Sequence, residues 1–178
     1  MNAETGARGD RFAGSRGLII IGLGSNLGDS PHILAGAIAR LRALFPSKFL
    51  VSSLWQTSPV DCPPGSPPFL NAVVGFSVPP RDGPEEMLRT LQALEQEFGR
   101  RPKQVLNEPR PLDLDLIVFG EEIRRTPELI VPHPRAQLRK FVLCPLSEIA
   151  PDLILPGQSK TVAQLLKDLR SDEQIKRL

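Results

Sequence analysis

The chain has 178 residues, 40% of them hydrophobic and 24% charged, with 22 basic and 20 acidic side chains and a net charge of +2. That describes one domain with room for a single core and no need of disulfide or metal staples, and the charge balance is too even to argue for a nucleic-acid or acidic-membrane binder. The two cysteines, Cys62 and Cys144, lie far apart in no paired motif, which excludes a disulfide or zinc framework on spacing grounds, and no stretch reaches the ~20 apolar residues of a membrane span.

Residues 1–16 lack the apolar run of a signal peptide and read as a disordered tail of a cytoplasmic protein, ahead of one domain over 17–178. Leu18 to Leu23 (LIIIGL) is a short β-branched apolar run and reads as a buried strand. The turn GSNLGDS at 24–30 follows, with Ser30 as an N-cap and Pro31 as the first helical residue. Ile33, Ala37, Leu41 and Leu44 then recur at helical spacing until Pro46. Alternation predicts a second strand over 48–57, and a loop with five prolines (59–68) leads into a third strand, Phe69 to Val78. Pro84 opens a second amphipathic helix with Met87, Leu88, Leu91, Leu94 and Phe98 on one face and Gly99 at its stop. A basic, proline-broken loop (100–111) precedes a fourth strand, Leu112 to Phe119, and a short helix is expected at 161–169. The order strand–helix–strand–strand–helix–strand implies an α+β fold: a ferredoxin-like split βαβ sheet with helices packed on one face and extra C-terminal elements.

The chemistry concentrates around R-P-L-D-L-D-L-I at 110–117. On a strand, Asp113 and Asp115 share one face, roughly 7 Å apart at Cα, while Leu112, Leu114 and Leu116 fill the other. Adjacent carboxylates repel and raise each other's pKa unless a divalent cation lies between them. The plain alternative is one solvated polar face of an antiparallel strand. Basic residues crowd the same stretch: Arg100, Arg101, Lys103 and Arg110 before or within it, and His133, Arg135, Arg139 and Lys140 after it. Carboxylates that hold cations, ringed by groups that reach phosphate oxygens, describe phosphoryl transfer. There is no GxxxxGK[ST], GxGxxG or HExxH. GLGSNLGD reads as a tight strand-to-helix turn needing positive φ, and His32 as incidental.

Four segments, IGLGSNLGD at 21–29, TSPV with PPFLNAVV within 57–74, RPLDLDLIVFG at 110–120 and VPHPRAQLRKFVLCPLSEIAP at 131–151, together resemble the 6-hydroxymethyl-7,8-dihydropterin pyrophosphokinases of folate biosynthesis. The resemblance implies intact transfer of pyrophosphate from ATP, as co-substrate, to the pterin hydroxymethyl oxygen, with attack on the β-phosphorus and release of AMP. It implies that Asp113 and Asp115 hold two Mg²⁺, and that Arg100, Arg110, His133 and Arg139 contact phosphates as the catalytic clamps. Gln92 and Glu95, expected on the helix face opposite the apolar stripe, and Leu116 fall at nucleotide positions. Phe69 and Phe141 match the pterin-stacking pair, Asn71 the amide that reads the ring edge, and Thr57, Ser58 and Val60 the loop that completes the pocket, with Asp113 beside them. Many relatives carry an aromatic where this chain has Asn107, a basic residue where it has Pro102 and glycine where it has Asp61, which bears on loop closure. The protein is expected to act as a monomer on two small molecules, with no nucleic acid or membrane. Another two-metal nucleotidyl- or phosphotransferase on a similar sheet is the alternative, and an RNA-binding module a more remote one.

Overall fold

The computed structural model describes residues 17–77, 83–102, 105 and 107–178. The expected tail (1–16), Val78 at the end of the third strand and Lys103 lie outside the described residues. The elements are β1 (Leu18–Ser25), α1 (Ser30–Leu44), β2 (Phe49–Val51), β3 (Trp55–Thr57), β4 (Phe69–Ser77), α2 (Pro84–Glu97), β5 (Asp113–Phe119), β6 (Arg124–Arg125), β7 (Ile130–Val131), α3 (Lys140–Ile149), α4 (Val162–Asp168) and β8 (Ile175–Arg177).

One antiparallel sheet runs in the order β5-β1-β4-β3-β8, with β2 also paired to β4. Side chains alternate across it. Ile19, Ile21 and Leu23 pack with Leu34, Ala37 and Leu41 of α1 and with Met87, Leu91 and Leu94 of α2. Leu18 and Ile20 pack on the other face with Val142, Leu143, Leu146 and Ile149 of α3. The expectation of helices on one face therefore holds for α1 and α2 alone. α3 covers the second face, which is why β1 is apolar on both sides. Helix α3 was not foreseen because Pro145 lies inside it, and proline is the usual signal of a helix's end.

Two boundaries differ from the sequence reading, and one strand is additional to it. The N-cap of α1 is Asp29, whose Oδ1 accepts the His32 N–H at 3.2 Å; Ser30 turns inward instead, its hydroxyl accepting from Ser25 at 2.8 Å. The strand expected over 48–57 is cut into β2 and β3. Ser52 is the cause: its hydroxyl takes the Val73 N–H at 2.9 Å, while the Ser53 N–H donates to the Glu148 carboxylate at 2.7 Å, so side chains replace part of the ladder. Strand β8 extends the sheet beside β3, pairing Thr57 with Ile175 and Trp55 with Arg177.

Candidate active site

The register of β1 against its two neighbours builds the site. Gly22 and Gly24 continue the Leu18 and Ile20 face, yet carry no side chain. Gly24 lies opposite Asp113 on β5 and Asn71 on β4, and Gly22 opposite Asp115 and Val73. A Cβ on Gly24 would meet Asn71 Oδ1 at 3.2 Å and Phe69 Cδ1 at 3.7 Å. These glycines therefore floor a cavity rather than make a turn; only Gly28, further along, has the positive φ (80°) expected of the motif. The cavity is walled by Thr57, Ser58, Val60, Phe69, Asn71, Arg110, Asp113, Asp115, Arg139 and Phe141. Every residue assigned from sequence to the pterin is among them.

Inside the cavity, Asn71 donates from Nδ2 to Thr57 Oγ1 at 2.8 Å, which leaves its carbonyl oxygen toward the glycine floor. The Arg110 guanidinium carbon stands 5.1 Å over the Phe69 ring, and that of Arg139 stands 5.1 Å over Phe141. Each ring thus carries a cation over one of its faces, an arrangement favoured by the ring quadrupole.

The two aspartates differ sharply in company. Asp113 Oδ1 accepts from Arg100 at 2.5 Å and Oδ2 from Arg110 at 2.6 Å. Burial pushes this carboxyl up, but the two guanidinium groups outweigh it and hold the pKa below the ordinary value. Asp115 takes no hydrogen bond or ion pair among the described residues. Burial, and then the Asp113 charge, push it up to about 6. The pair is therefore one carboxylate clamped by two guanidinium groups beside one whose charge Arg139, Arg110 and Arg100 offset only in part, without direct contact. Among the described residues no three His, Cys, Asp or Glu side chains cluster as a complete metal cage. Two carboxylates with water and phosphate oxygens supplying the rest is the usual Mg²⁺ arrangement, so the donor set fits that ion.

Glu95 departs from its expected place. At 100° per residue it falls between Leu91 and Leu88, on the apolar stripe and not opposite it, and it is buried. Its carboxylate pairs with Arg100 and accepts the Leu114 N–H at 2.7 Å, joining α2 to the start of β5. Burial pushes it up to about 7. Gln92 is exposed on the same helix and lines neither cleft described here.

A second cleft contains Leu88, Leu114, Asp115, Leu116, Leu129 and His133. It unites Leu116 and His133, both assigned from sequence to the nucleotide. His133 donates its backbone N–H to the Ile117 carbonyl at 3.0 Å, and its Nδ1 accepts from the Arg135 N–H at 3.2 Å, so the ring proton sits on Nε2. Burial, then the charges of Arg139 and Arg135, lower its pKa to about 4. His133 is therefore a neutral donor across the physiological range. Asp115 alone among the described residues lines both this cleft and the glycine-floored cavity.

Sequence reasoning missed the floor and one tie. Asn26 is buried in the β1–α1 turn. Its Oδ1 accepts the Arg110 N–H at 2.9 Å, and its Nδ2 donates to the Pro67 carbonyl at 3.3 Å, so it links the proline loop to the segment ahead of β5. Asp61 and Asn107, noted as departures, meet across the cavity mouth, where Asn107 Nδ2 donates to the Asp61 carbonyl at 2.8 Å. Both hold left-handed backbones, at φ 54° and 55°. The signal for the glycine floor was the period of two, which becomes readable only once the strand register is known.

Comparison with known proteins adds the following. Residues 20–151 match the family model described as 7,8-dihydro-6-hydroxymethylpterin-pyrophosphokinase. The 2-amino-4-hydroxy-6-hydroxymethyldihydropteridine pyrophosphokinase of Synechocystis is 41% identical over 84% of this chain and 75% of that protein. The corresponding Bacillus subtilis protein is 42% identical over 72% and 75%, and that of Haemophilus influenzae 34% identical over 88% and 95%. Among solved structures, Plasmodium falciparum HPPK-DHPS with pteroate aligns with a TM-score of 0.64 at 13% identity, a likeness of fold. The alignment covers 85% of this chain, which spans 42% of the length of that one.

Proposed function

The chain belongs to the 7,8-dihydro-6-hydroxymethylpterin-pyrophosphokinase family, and on that premise we propose that the glycine-floored cavity holds the pterin, the His133 cleft holds the nucleotide, and Asp115 marks where they meet. The activity is transfer of pyrophosphate from ATP to 6-hydroxymethyl-7,8-dihydropterin in folate biosynthesis. Phe69 and Phe141 supply the ring faces and Asn71 an amide at the ring edge, which suits a flat polar heterocycle. Thr57 holds that amide in orientation, and Ser58 and Val60 close the side of the pocket.

Phosphoryl transfer asks for positioning and charge neutralisation more than for a protein nucleophile. Arg100, Arg110 and Arg139 bring cations to the junction. His133 offers a neutral Nε2–H to a phosphate oxygen, and Leu116 packs beside the nucleotide. Glu95 serves the nucleotide side by orienting Arg100, while a nucleotide role for Gln92 rests on the family resemblance alone, since it lies outside both clefts. Two Mg²⁺ held by Asp113 and Asp115 would neutralise the triphosphate and draw it toward the pterin alcohol. The observation that carries this reading is Asp115, a half-buried carboxylate with no direct ion pair among the described residues, at the meeting point of two clefts. The test is AMP formation from ATP, Mg²⁺ and the reduced hydroxymethylpterin. Wild type forms AMP, and Asp113→Ala or Asp115→Ala abolishes it with the fold intact; near-normal turnover in either variant removes the metal role.

We read the sheet as a ferredoxin-like split βαβ, supported by β1 lying between β5 and β4. One domain over 17–178, acting as a cytoplasmic monomer without nucleic acid, is the matching expectation. Its support is that both clefts are lined within one chain; among the described residues no helix is long and apolar enough to cross a membrane.

A further inference from the structure

We propose that Glu173 is a positioning residue for the pterin: from the segment between α4 and β8 it fixes the first turn of α3, which carries Phe141 into the cavity. The inference rests on the reading of that cavity as the pterin pocket. The Glu173 carboxylate accepts the Phe141 N–H at 3.3 Å, while its own N–H donates to Ser171 Oγ at 3.2 Å and holds the turn.

Helix α3 needs this partner. Its N-cap is Arg139, which makes no side-chain capping bond, and its first turn contains no acidic residue. The opening N–H groups of a helix have no partner within it, and the positive end of the helix dipole favours an anion. Glu173 supplies both the acceptor and the charge from elsewhere in the chain. Its field reaches the side chains this end of the helix presents, acting on Arg139 against that residue's burial and on Cys144 one turn further on.

The same segment grips the opposite wall. The Lys140 ammonium donates to the Ser171 carbonyl at 2.6 Å. Next along the chain, the Ser58 N–H donates to the Gln174 carbonyl at 3.1 Å, and the Gln174 N–H returns to Ser58 Oγ at 3.3 Å. Residues 171–174 therefore bridge the Phe141 wall and the Ser58 wall, and set the distance between an aromatic face and the loop that a flat ligand must slot between. Contacts of this kind act on ground-state placement of one substrate, so the effect belongs in one Michaelis constant.

The experiment is steady-state kinetics with each substrate varied at saturation of the other, on the full chain. Glu173→Ala raises the KM for the pterin about tenfold, the scale of one charge-assisted hydrogen bond. The KM for ATP and kcat stay within about twofold. Glu173→Gln, which keeps an oxygen acceptor at the same reach, returns the pterin KM to within about threefold of wild type. Glu173→Asp, one methylene short, behaves like the alanine variant. An unchanged pterin KM in Glu173→Ala, equal rises in both KM values, or a glutamine variant no better than alanine overturns the proposal. Phe141→Ala separates the premise: if it too leaves the pterin KM unchanged, the pocket assignment fails, and if it raises that KM while Glu173→Ala does not, the role of Glu173 alone fails.

Discussion

Asn26 and Arg110 are joined by a reciprocal pair of hydrogen bonds, the Asn26 N–H to the Arg110 carbonyl at 3.2 Å and the Arg110 N–H to Asn26 Oδ1 at 2.9 Å. The link fixes the backbone from which Arg110 reaches both Asp113 and the face of Phe69. Asn26→Ala leaves the Arg110 N–H without its acceptor in a largely dry setting, at a cost of about 1–2 kcal/mol. The expected result is a melting temperature a few degrees lower together with reduced kcat, because the arginine loses its fixed origin. Thermal denaturation and AMP formation on the same preparation check it; a loss of stability with full kcat contradicts the positioning argument.

Asp113 and Asp115 make opposite contributions to stability. Asp113 is held below its ordinary pKa, so its contribution is present above about pH 4 and is lost in acid. Asp115 is raised to about 6, so its contribution is full below about pH 4 and is lost as pH rises through about 6. Asp115→Asn is therefore as stable as wild type or more so at pH 8, while Asp113→Asn loses stability by stranding Arg100 and Arg110. Added Mg²⁺ raises the melting temperature of wild type more at pH 8 than at pH 5, and does so less in Asp115→Asn. Equal Mg²⁺ responses in the two proteins count against the carboxylate pair as its holder.

His133 adds a pH effect of the same sign as that of Asp113 and opposite to that of Asp115. Its folded pKa lies near 4 against the ordinary ~6.5 of histidine. The unfolded chain takes up the proton first as pH falls, so this stabilisation is present above about pH 6.5 and is lost toward pH 4. Urea unfolding at pH 7 and pH 4.5 shows a larger drop for wild type than for His133→Asn. Equal drops mean the imidazole is not buried as described.

Gly24 tests the floor. Gly24→Ala places a methyl 3.2 Å from Asn71 Oδ1, tighter than an unstrained contact, and at ordinary contact distance, 3.8 Å, from the Asp113 Cβ. The neighbour with room to give is the Asn71 amide, which reads the ligand edge. The pterin KM is expected to rise by at least tenfold with little change in melting temperature, since alanine suits a strand no worse than glycine. An unchanged pterin KM shows that the cavity is deeper than the ligand requires.

Much of the architecture was legible from local physics. The β-branched run at 18–23, the apolar spacing of α1 and α2 and the stop at Gly99 each follow from short-range rules, and the structure keeps them. The acidic pair was legible because period two puts Asp113 and Asp115 on one face whatever else the chain does. What failed depended on a partner distant in sequence. Ser52 breaks the second strand because Val73 and α3 face it, and α3 forms through Pro145 because it covers the second face of the sheet. Glu95 was placed on the wrong side of its helix because a carboxylate on an apolar stripe makes sense only with Arg100 and the Leu114 N–H in reach.

The sequence by itself determined which residues could do chemistry: two carboxylates in step on a strand, a set of cations, and aromatic and amide groups suited to a flat ring. Only the tertiary structure decided their charge states and their grouping. Antiparallel pairing set Gly24 between Asp113 and Asn71, and so turned missing side chains into space for a ligand. Burial and neighbouring charge then distinguished two aspartates that are identical in sequence terms. The floor arises from pairing between residues tens of positions apart, and the charge difference from burial and from guanidinium contacts that only the folded chain imposes.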